Sequence, residues 1–296
     1  SGRETREKRS YSFRMDMMEK AVKRNLIFDF GLHKGEDTAF YLAKGFQVVA
    51  FEANPELANA CRARFAAEIE AGLLTIMEGA VAPPSAGDTV TFFVNERSVW
   101  GTIDKDWVER NEKAGASSKK ITAQRIDVAD TIQKFGMPFY MKIDIEGADQ
   151  HVLEVLAKFP EKPKYISIES SKDDYQDVVS ECDRLRGLGY NRFKAVQQEY
   201  IPGMRDQFQR MDGTPFSYTF PADSSGPFGD EIRQSWVSHE AVLDEYRSIF
   251  RKYRWLGSGS ALLRIPGLHR MLWHFGRRLN IGLPGWYDTH AALDEK

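Results

Sequence analysis

The chain lacks most of what would mark it as secreted, metal-stapled or membrane-spanning. Its 296 residues include two cysteines, Cys61 and Cys182. That is too few for a disulfide framework, and they lack the short spacing of a zinc site. No apolar run approaches the ~20 residues that cross a bilayer. The N-terminus is charged and has no apolar stretch, so it does not read as a signal peptide. It opens Ser1-Gly2 without Met, which reads as a trimmed start and is set aside. An excess of one charge is missing too: 41 Lys and Arg face 43 Asp and Glu, leaving a formal −2. No global field would gather nucleic acid. There is no internal repeat and no low-complexity tract. Acids are absent from Trp255 to Tyr287, where Arg264, Arg270, Arg277 and Arg278 lie among Gly, Pro and aromatic residues. These absences suggest a cytoplasmic protein with no membrane span. With 42% hydrophobic residues the chain has enough apolar material for a sizeable core.

What is present is concentrated between Asn25 and Asn54. Leu26–Phe30 is a short apolar, mostly β-forming run and reads as a buried strand. Gly31 and Gly35 follow, where a strand turns into a helix, and Thr38–Lys44 is that helix, closed by Gly45. Val48–Phe51 is a second buried strand ending on Glu52. An acid about twenty residues past the first glycine of a β-turn-α-β unit is the layout that binds a nucleotide-like cofactor. The turn itself, Asp29-Phe-Gly31-Leu-His-Lys34-Gly35, places a carboxylate before the first glycine. That charge repels a pyrophosphate and suits the amino end of a methionine moiety. Glu52 can accept hydrogen bonds from both ribose hydroxyls. Together they point to S-adenosylmethionine.

The same alternation continues. Asn54 caps a helix with Pro55 in its first turn, and Leu57, Cys61, Phe65 and Ile69 keep helical spacing until Gly72. Strands are expected at Leu73–Met77, Thr89–Val94, Ile121–Ile126, Phe139–Ile143, Tyr165–Glu169 and Tyr190–Val196. Helices are expected from Asp127 to Phe135, Ala148 to Lys158 and Asp173 to Leu188. Asp104–Gly115 is a further candidate helix. This is an α/β pattern: a Rossmann-like, mainly parallel sheet with helices on both faces. Residues 1–24 form a leading helix or tail, 25–196 the Rossmann-like domain, and 197–296 an irregular and helical C-terminal cap. Within that cap His239–Tyr253 is helical.

In open parallel sheets, ligands sit beyond the carboxyl ends of the strands. Asp29, Glu52, Glu78, Asp144, Glu146 and Glu169 all fall at or just past such ends. An acid at a strand tip otherwise caps the next helix, but six of them are hard to explain by capping alone.

Four segments, Asp29–Gly35, Phe51–Pro55, Glu78-Gly79-Ala80 and Lys142-Ile-Asp144-Ile-Glu146-Gly147, resemble the FkbM family of class I methyltransferases. The last, Lys-x-Asp-x-Glu-Gly, is the most specific. The likeness covers about residues 25 to 170, with departures at Leu32-His33-Lys34 and Asp149. It implies S-adenosylmethionine-dependent O-methylation of a hydroxyl on a saccharide or other polyhydroxylated small molecule or glycan. It also implies that Asp29, Gly31 and Gly35 hold the methionine part, with Lys34 and Asp37 as further cofactor-binding candidates. Glu52 and Asn54 then serve the ribose side and Glu78, Gly79 and Ala80 the adenine side, while Ala53 and Asp144 are further cofactor-binding candidates.

The hydroxyl proton needs a base. Asp144 is the first candidate, with Glu169 and His290 as alternatives. His239 is a further one, since imidazole titrates near neutrality. Asp144 and Glu169 as joint Mg²⁺ ligands are an alternative that is not favoured. Substrate readers are expected in inserted segments: Ser98, Trp100, Ser225 and the Trp286–His290 tail, with Glu146 and His239 beside them. A non-catalytic adenosine-nucleoside-binding module is the rival outside enzymes. No nucleic-acid acceptor is expected, because no Asn-Pro-aromatic motif follows a strand. Homodimerisation is left open.

Overall fold

The computed structural model describes residues 22–95, 118–145, 147–171, 174–256 and 285–294. The leading helix, the Asp104–Gly115 helix, most of the acid-free segment and the candidates Ser98, Trp100 and Glu146 lie outside them. By internal contacts the chain divides into two compact units. The first is Ser1–Lys164 with Gln209–Thr214, and the second is Tyr165–Phe208 with Pro215–Lys296.

The first unit is built on four parallel strands. β1 (Lys23–Phe30), β2 (Gln47–Glu52), β3 (Leu74–Glu78) and β7 (Pro138–Ile143) run side by side in the order β3-β2-β1-β7. The inner strands are apolar on both faces because both are covered. Ile27, Phe28 and Phe30 are fully buried, and Phe30 stacks on Phe51 with ring centroids 4.0 Å apart. Helix α1 (Glu36–Ala43) connects β1 to β2. It begins before the expected Thr38 because Gly35, at φ 81°, forms its N-cap. Asn54 caps α2 (Pro55–Arg64), its Oδ1 accepting from Glu56 N at 3.0 Å. The expected single helix through Ile69 breaks at Phe65, and α3 (Ala66–Glu70) follows.

A small three-stranded sheet comprises β4 (Ala80–Val81), β5 (Thr89–Asn95) and β6 (Ser118–Ile126). After it, α4 (Val128–Phe135) is capped by Asp127, which accepts from the backbone N–H groups of Ala129 and Asp130. α5 (Asp149–Ala157) comes after β7.

The second unit holds β8 (Tyr165–Glu169), α6 (Tyr175–Gly187), β9 (Arg192–Gln197) and α7 (His239–Leu256). It also holds two features the sequence did not announce. The last strand, β12 (Tyr287–Ala292), inserts antiparallel between β8 and β9. All six of its residues are buried, so the expected substrate-reading tail is for the most part a sheet interior. In addition, β10 (Arg205–Gln209) and β11 (Pro215–Thr219) form a hairpin within a stretch expected to be irregular.

The turn of that hairpin, Gln209–Thr214, belongs with the first unit. It finishes the C-terminal end of α1: Met211 N donates to Lys44 O at 2.9 Å, Arg210 Nε to Ala43 O at 3.1 Å, and Lys44 Nζ to Gln209 O at 2.8 Å. Helix-end carbonyls lacking intrahelical partners are satisfied in this way.

Candidate active site

The β1–α1 turn is the centre of the first unit's candidate site. Gly31 N and Leu32 N both donate to Phe51 O, so the chain bends as soon as β1 ends. Gly31 sits at φ 92°, and a Cβ there would lie 2.1 Å from the backbone oxygen of Asp144. Gly35 is at φ 81°, and its Cβ would lie 2.4 Å from the Phe65 ring. Protein packing thus requires both glycines before any ligand is considered. Gly31→Ala is expected to lose about 3 kcal/mol, from left-handed strain together with a clash that backbone cannot relieve by rotating. The denaturant midpoint measures this, and an unchanged midpoint would contradict the geometry.

Glu52, at the tip of β2, closes the same turn. Its Oε2 accepts from His33 N and its Oε1 from Asn54 N, each at 2.8 Å. Burial pushes its carboxyl upward, against the pull of those backbone donors. The backbone N–H of Ala53 is a third donor to the same carboxylate. Asp29 and Glu52 are therefore brought together by adjacent strands and one shared turn. His33, at φ 52°, places Nδ1 3.3 Å from Glu36 Oε2, and Glu36 Oε2 also accepts from Lys34 N.

The sequence quoted Lys142 without giving it a role. Register pairs Asp29 with Lys142 across β1 and β7, and alternation puts Lys142 and Asp144 on one face. The ammonium lies 2.9 Å from Asp144 Oδ2, 3.4 Å from Asp37 Oδ2 and 3.9 Å from Asp29 Oδ1. Burial pulls its pKa down, but the three carboxylates push harder, and it stands well above the ordinary lysine value.

Asp29 is buried. Its Oδ2 accepts from Thr38 Oγ1 at 2.6 Å, while its Oδ1 accepts no hydrogen bond. Burial, with the nearby Asp37 charge, pushes its carboxyl up to about 7 against the opposing pull of Lys142. One ammonium thus serves three acids, Asp144 foremost. An ammonium already bonded to Asp144 disfavours a divalent cation at the same oxygen.

The remaining candidates are more scattered in role. Asn54 is engaged as a helix cap. Ala53 packs half-buried against Ala80 and its neighbours. Gly79, whose Cβ would meet Gln124 O at 2.5 Å, lets β3 pass against β6. Glu78 is half-exposed and bonded to Arg62 at 2.6 Å. Lys34 is exposed and Asp37 buried.

In the second unit, Glu169 ends β8 opposite Asp288, and Ser225 is buried in a loop. His239 is packed edge-on against Phe193, with Nε2 3.0 Å from Asp183 Oδ1, off the line of a good hydrogen bond. His290 lies inside the sheet between Ser167 and Lys194. Burial, and then the Lys194 charge, drive its pKa down to about 3. A buried imidazole that stays neutral has no open face for an acceptor, so this placement gives the base role expected of His290 no support.

A β-turn-α-β cofactor turn, an acid at the next strand tip and a parallel sheet define a Rossmann-like nucleoside-cofactor fold. The methyltransferase FkbM domain model matches residues 29–211, more than half of the chain. The protein belongs to this family and is an S-adenosylmethionine-dependent methyltransferase. No curated protein sequence matches it.

Solved structures similar to it include a SAM-dependent methyltransferase from Archaeoglobus fulgidus, at 11% identity, covering 98% of this chain and 94% of that one, TM-score 0.36. An O-methyltransferase from Bacillus cereus in complex with SAH is 13% identical, covering 65% and 71%, TM-score 0.32. Precorrin-6Y C5,15-methyltransferase from Geobacter metallireducens is 9% identical, covering 69% and 81%, TM-score 0.35. At these scores the assignment rests on the family match.

The residues present fit the cofactor. Asp29 offers a buried oxygen without a hydrogen bond, and Glu52 offers a carboxylate at the tip of β2 beside the same turn.

Proposed function

We propose that the protein transfers methyl to a hydroxyl of a saccharide or other polyhydroxylated metabolite, with Asp144 as general base. One observation carries the reading. Asp144 ends β7 with Oδ2 fixed by Lys142 Nζ at 2.9 Å, yet 39% of its side chain is exposed. A carboxylate held at one oxygen and open elsewhere can take a hydroxyl proton as the oxygen attacks.

When bound, S-adenosylmethionine supplies an electrophilic methyl on a sulfonium. The protein's part is to hold the donor at Asp29 and Glu52, to align the hydroxyl, and to accept its proton at Asp144. Positioning accounts for much of the barrier lowering, because the leaving group is already good. The acceptor class is supported by the sequence resemblance, and Ser98, Trp100, Glu146 and Ser225 remain its candidate readers.

The test is methyl-labelled donor with a panel of sugars and glycosides, followed by carbon NMR of the products. Alkali-stable methyl ethers are expected. Label found only on nitrogen, carbon or a carboxyl ester would overturn the reading.

A further inference from the structure

His33 sits in the left-handed region, at φ 52°, in the middle of the cofactor turn. Glycine takes that conformation freely, and a residue with a side chain does not. Two peptide planes meet at His33, and each is fixed at both ends. In the plane before it, Leu32 O accepts from Gly35 N at 2.8 Å and His33 N donates to Glu52 Oε2 at 2.8 Å. In the plane after it, His33 O accepts from Cys61 Sγ at 3.3 Å and Lys34 N donates to Glu36 Oε2 at 3.1 Å. The same Glu36 oxygen lies 3.3 Å from the imidazole Nδ1 of His33. Glu36, buried in the first turn of α1, thus grips both the side chain of the strained residue and the peptide that follows it. Burial raises the Glu36 carboxyl, but the hydrogen bond and charge of His33, with the backbone N–H of Glu36 itself, outweigh it and hold it below the ordinary glutamate value.

Of the three backbone N–H groups that reach Glu52, those of Ala53 and Asn54 belong to its own stretch of chain. The His33 N–H comes from across the turn, nineteen residues away, and ties the carboxylate to the glycine turn. We propose that Glu36 is a positioning residue for the methyl donor: it holds His33 left-handed, so that the His33 N–H keeps the Glu52 carboxylate in the orientation that receives the ribose. The proposal rests on the reading that this turn and Glu52 hold the donor. Were His33 to relax to negative φ, the plane before it would turn and its N–H would leave Glu52 Oε2. Strain of this kind persists only where the surroundings over-determine it, and it gathers at binding sites. Glu36 acts through His33 and the peptide beside it, not on the donor.

Calorimetry with S-adenosylhomocysteine tests this, because the product carries the same ribose as the donor and needs no acceptor. Glu36→Ala should weaken its binding about tenfold, roughly the worth of one hydrogen bond to a charged group. Glu36→Gln, which keeps an oxygen for both donors, should stay within about threefold of the wild type. Glycine reaches φ 52° unaided, so His33→Gly should make Glu36 dispensable. Glu36→Ala combined with His33→Gly should therefore return to within about threefold of the wild type. A side chain needed only for packing would not be rescued by removing a second one.

A second pair of variants leaves Glu36 in place, and it decides the matter even where Glu36→Ala does not fold. His33→Gly should bind the product as the wild type does, and His33→Ala, strained and without an imidazole, about fivefold more weakly. Any of four results would overturn this inference alone: wild-type affinity in Glu36→Ala, Glu36→Gln as weak as Glu36→Ala, a double variant no tighter than Glu36→Ala, or equal affinities for His33→Gly and His33→Ala. Failure of the wild type to bind S-adenosylhomocysteine would overturn the cofactor reading, and this inference with it.

Discussion

Lys142→Met is expected to lose about 3–5 kcal/mol of folding stability near pH 8, because it removes a buried cation that faces Asp29, Asp37 and Asp144. The partners concerned are Asp29 and Asp37, both buried, with the more exposed Asp144 contributing less. The pH dependence has a definite sign. Lys142's own contribution is present below its unfolded value of roughly 10.4 and is lost only as pH rises through its higher folded value. Without it, Asp29 moves still further above its unfolded value. A carboxyl raised in this way costs nothing below about pH 4, where the unfolded chain is protonated too. The deficit grows as pH climbs through the folded value. Urea unfolding at about pH 5 and pH 8 should therefore show a markedly larger loss at the higher pH. Equal losses at both would mean that the methylenes of Lys142, rather than its charge, hold the cluster together.

Asp144→Asn acts on turnover instead. Amide replaces carboxylate with little change of shape, and its oxygen can still accept from Lys142 Nζ, so the end of β7 keeps its geometry. Removing the base should lower kcat by about 10²–10⁴-fold. Donor affinity should stay within a few fold, because Asp29 and Glu52 are untouched. Isothermal titration beside initial rates separates the two effects. Retention of more than a tenth of wild-type kcat would move the base elsewhere, with Glu169 next in line. Loss of donor binding would instead make Asp144 part of the cofactor's grip.

Much of the first unit could be read directly from its residues. β1, β2, β3 and β7 are short apolar runs bounded by glycines, caps and acids, and parallel strands covered on both faces carry no competing pattern. Asn54 and Asp127 were legible as caps because their side chains do what those residue types do before a helix. The acids of the turn were legible by type and position.

Lys142 was visible in the Lys-x-Asp spacing. Its partners were not, because Asp29 and Asp37 reach it only through strand register and the placement of α1. β12 was illegible for a physical reason. Tyr-Asp-Thr-His-Ala-Ala has neither the apolar content nor the alternation of a strand. Its polar side chains are admitted because neighbours answer them, as Thr289 Oγ1 meets Ser170 at 2.6 Å and Tyr246 at 2.7 Å. The hairpin 205–219 had one local signal, Asp212-Gly213, which is weak beside strands as polar as Arg-Asp-Gln-Phe-Gln.

The way Met211, Arg210 and Gln209 finish the far end of α1 has a consequence for synthesis. A ribosome that has reached Tyr200 has already made β1, β2, β3 and β7, every strand of the first unit's parallel sheet. The nascent chain still lacks the segment that satisfies Lys44 and Ala43. Until Met211 has been added and has cleared the exit tunnel, the helix behind the glycine turn stays open at one end. Completion of the donor pocket is thus timed by the arrival of a loop encoded far downstream.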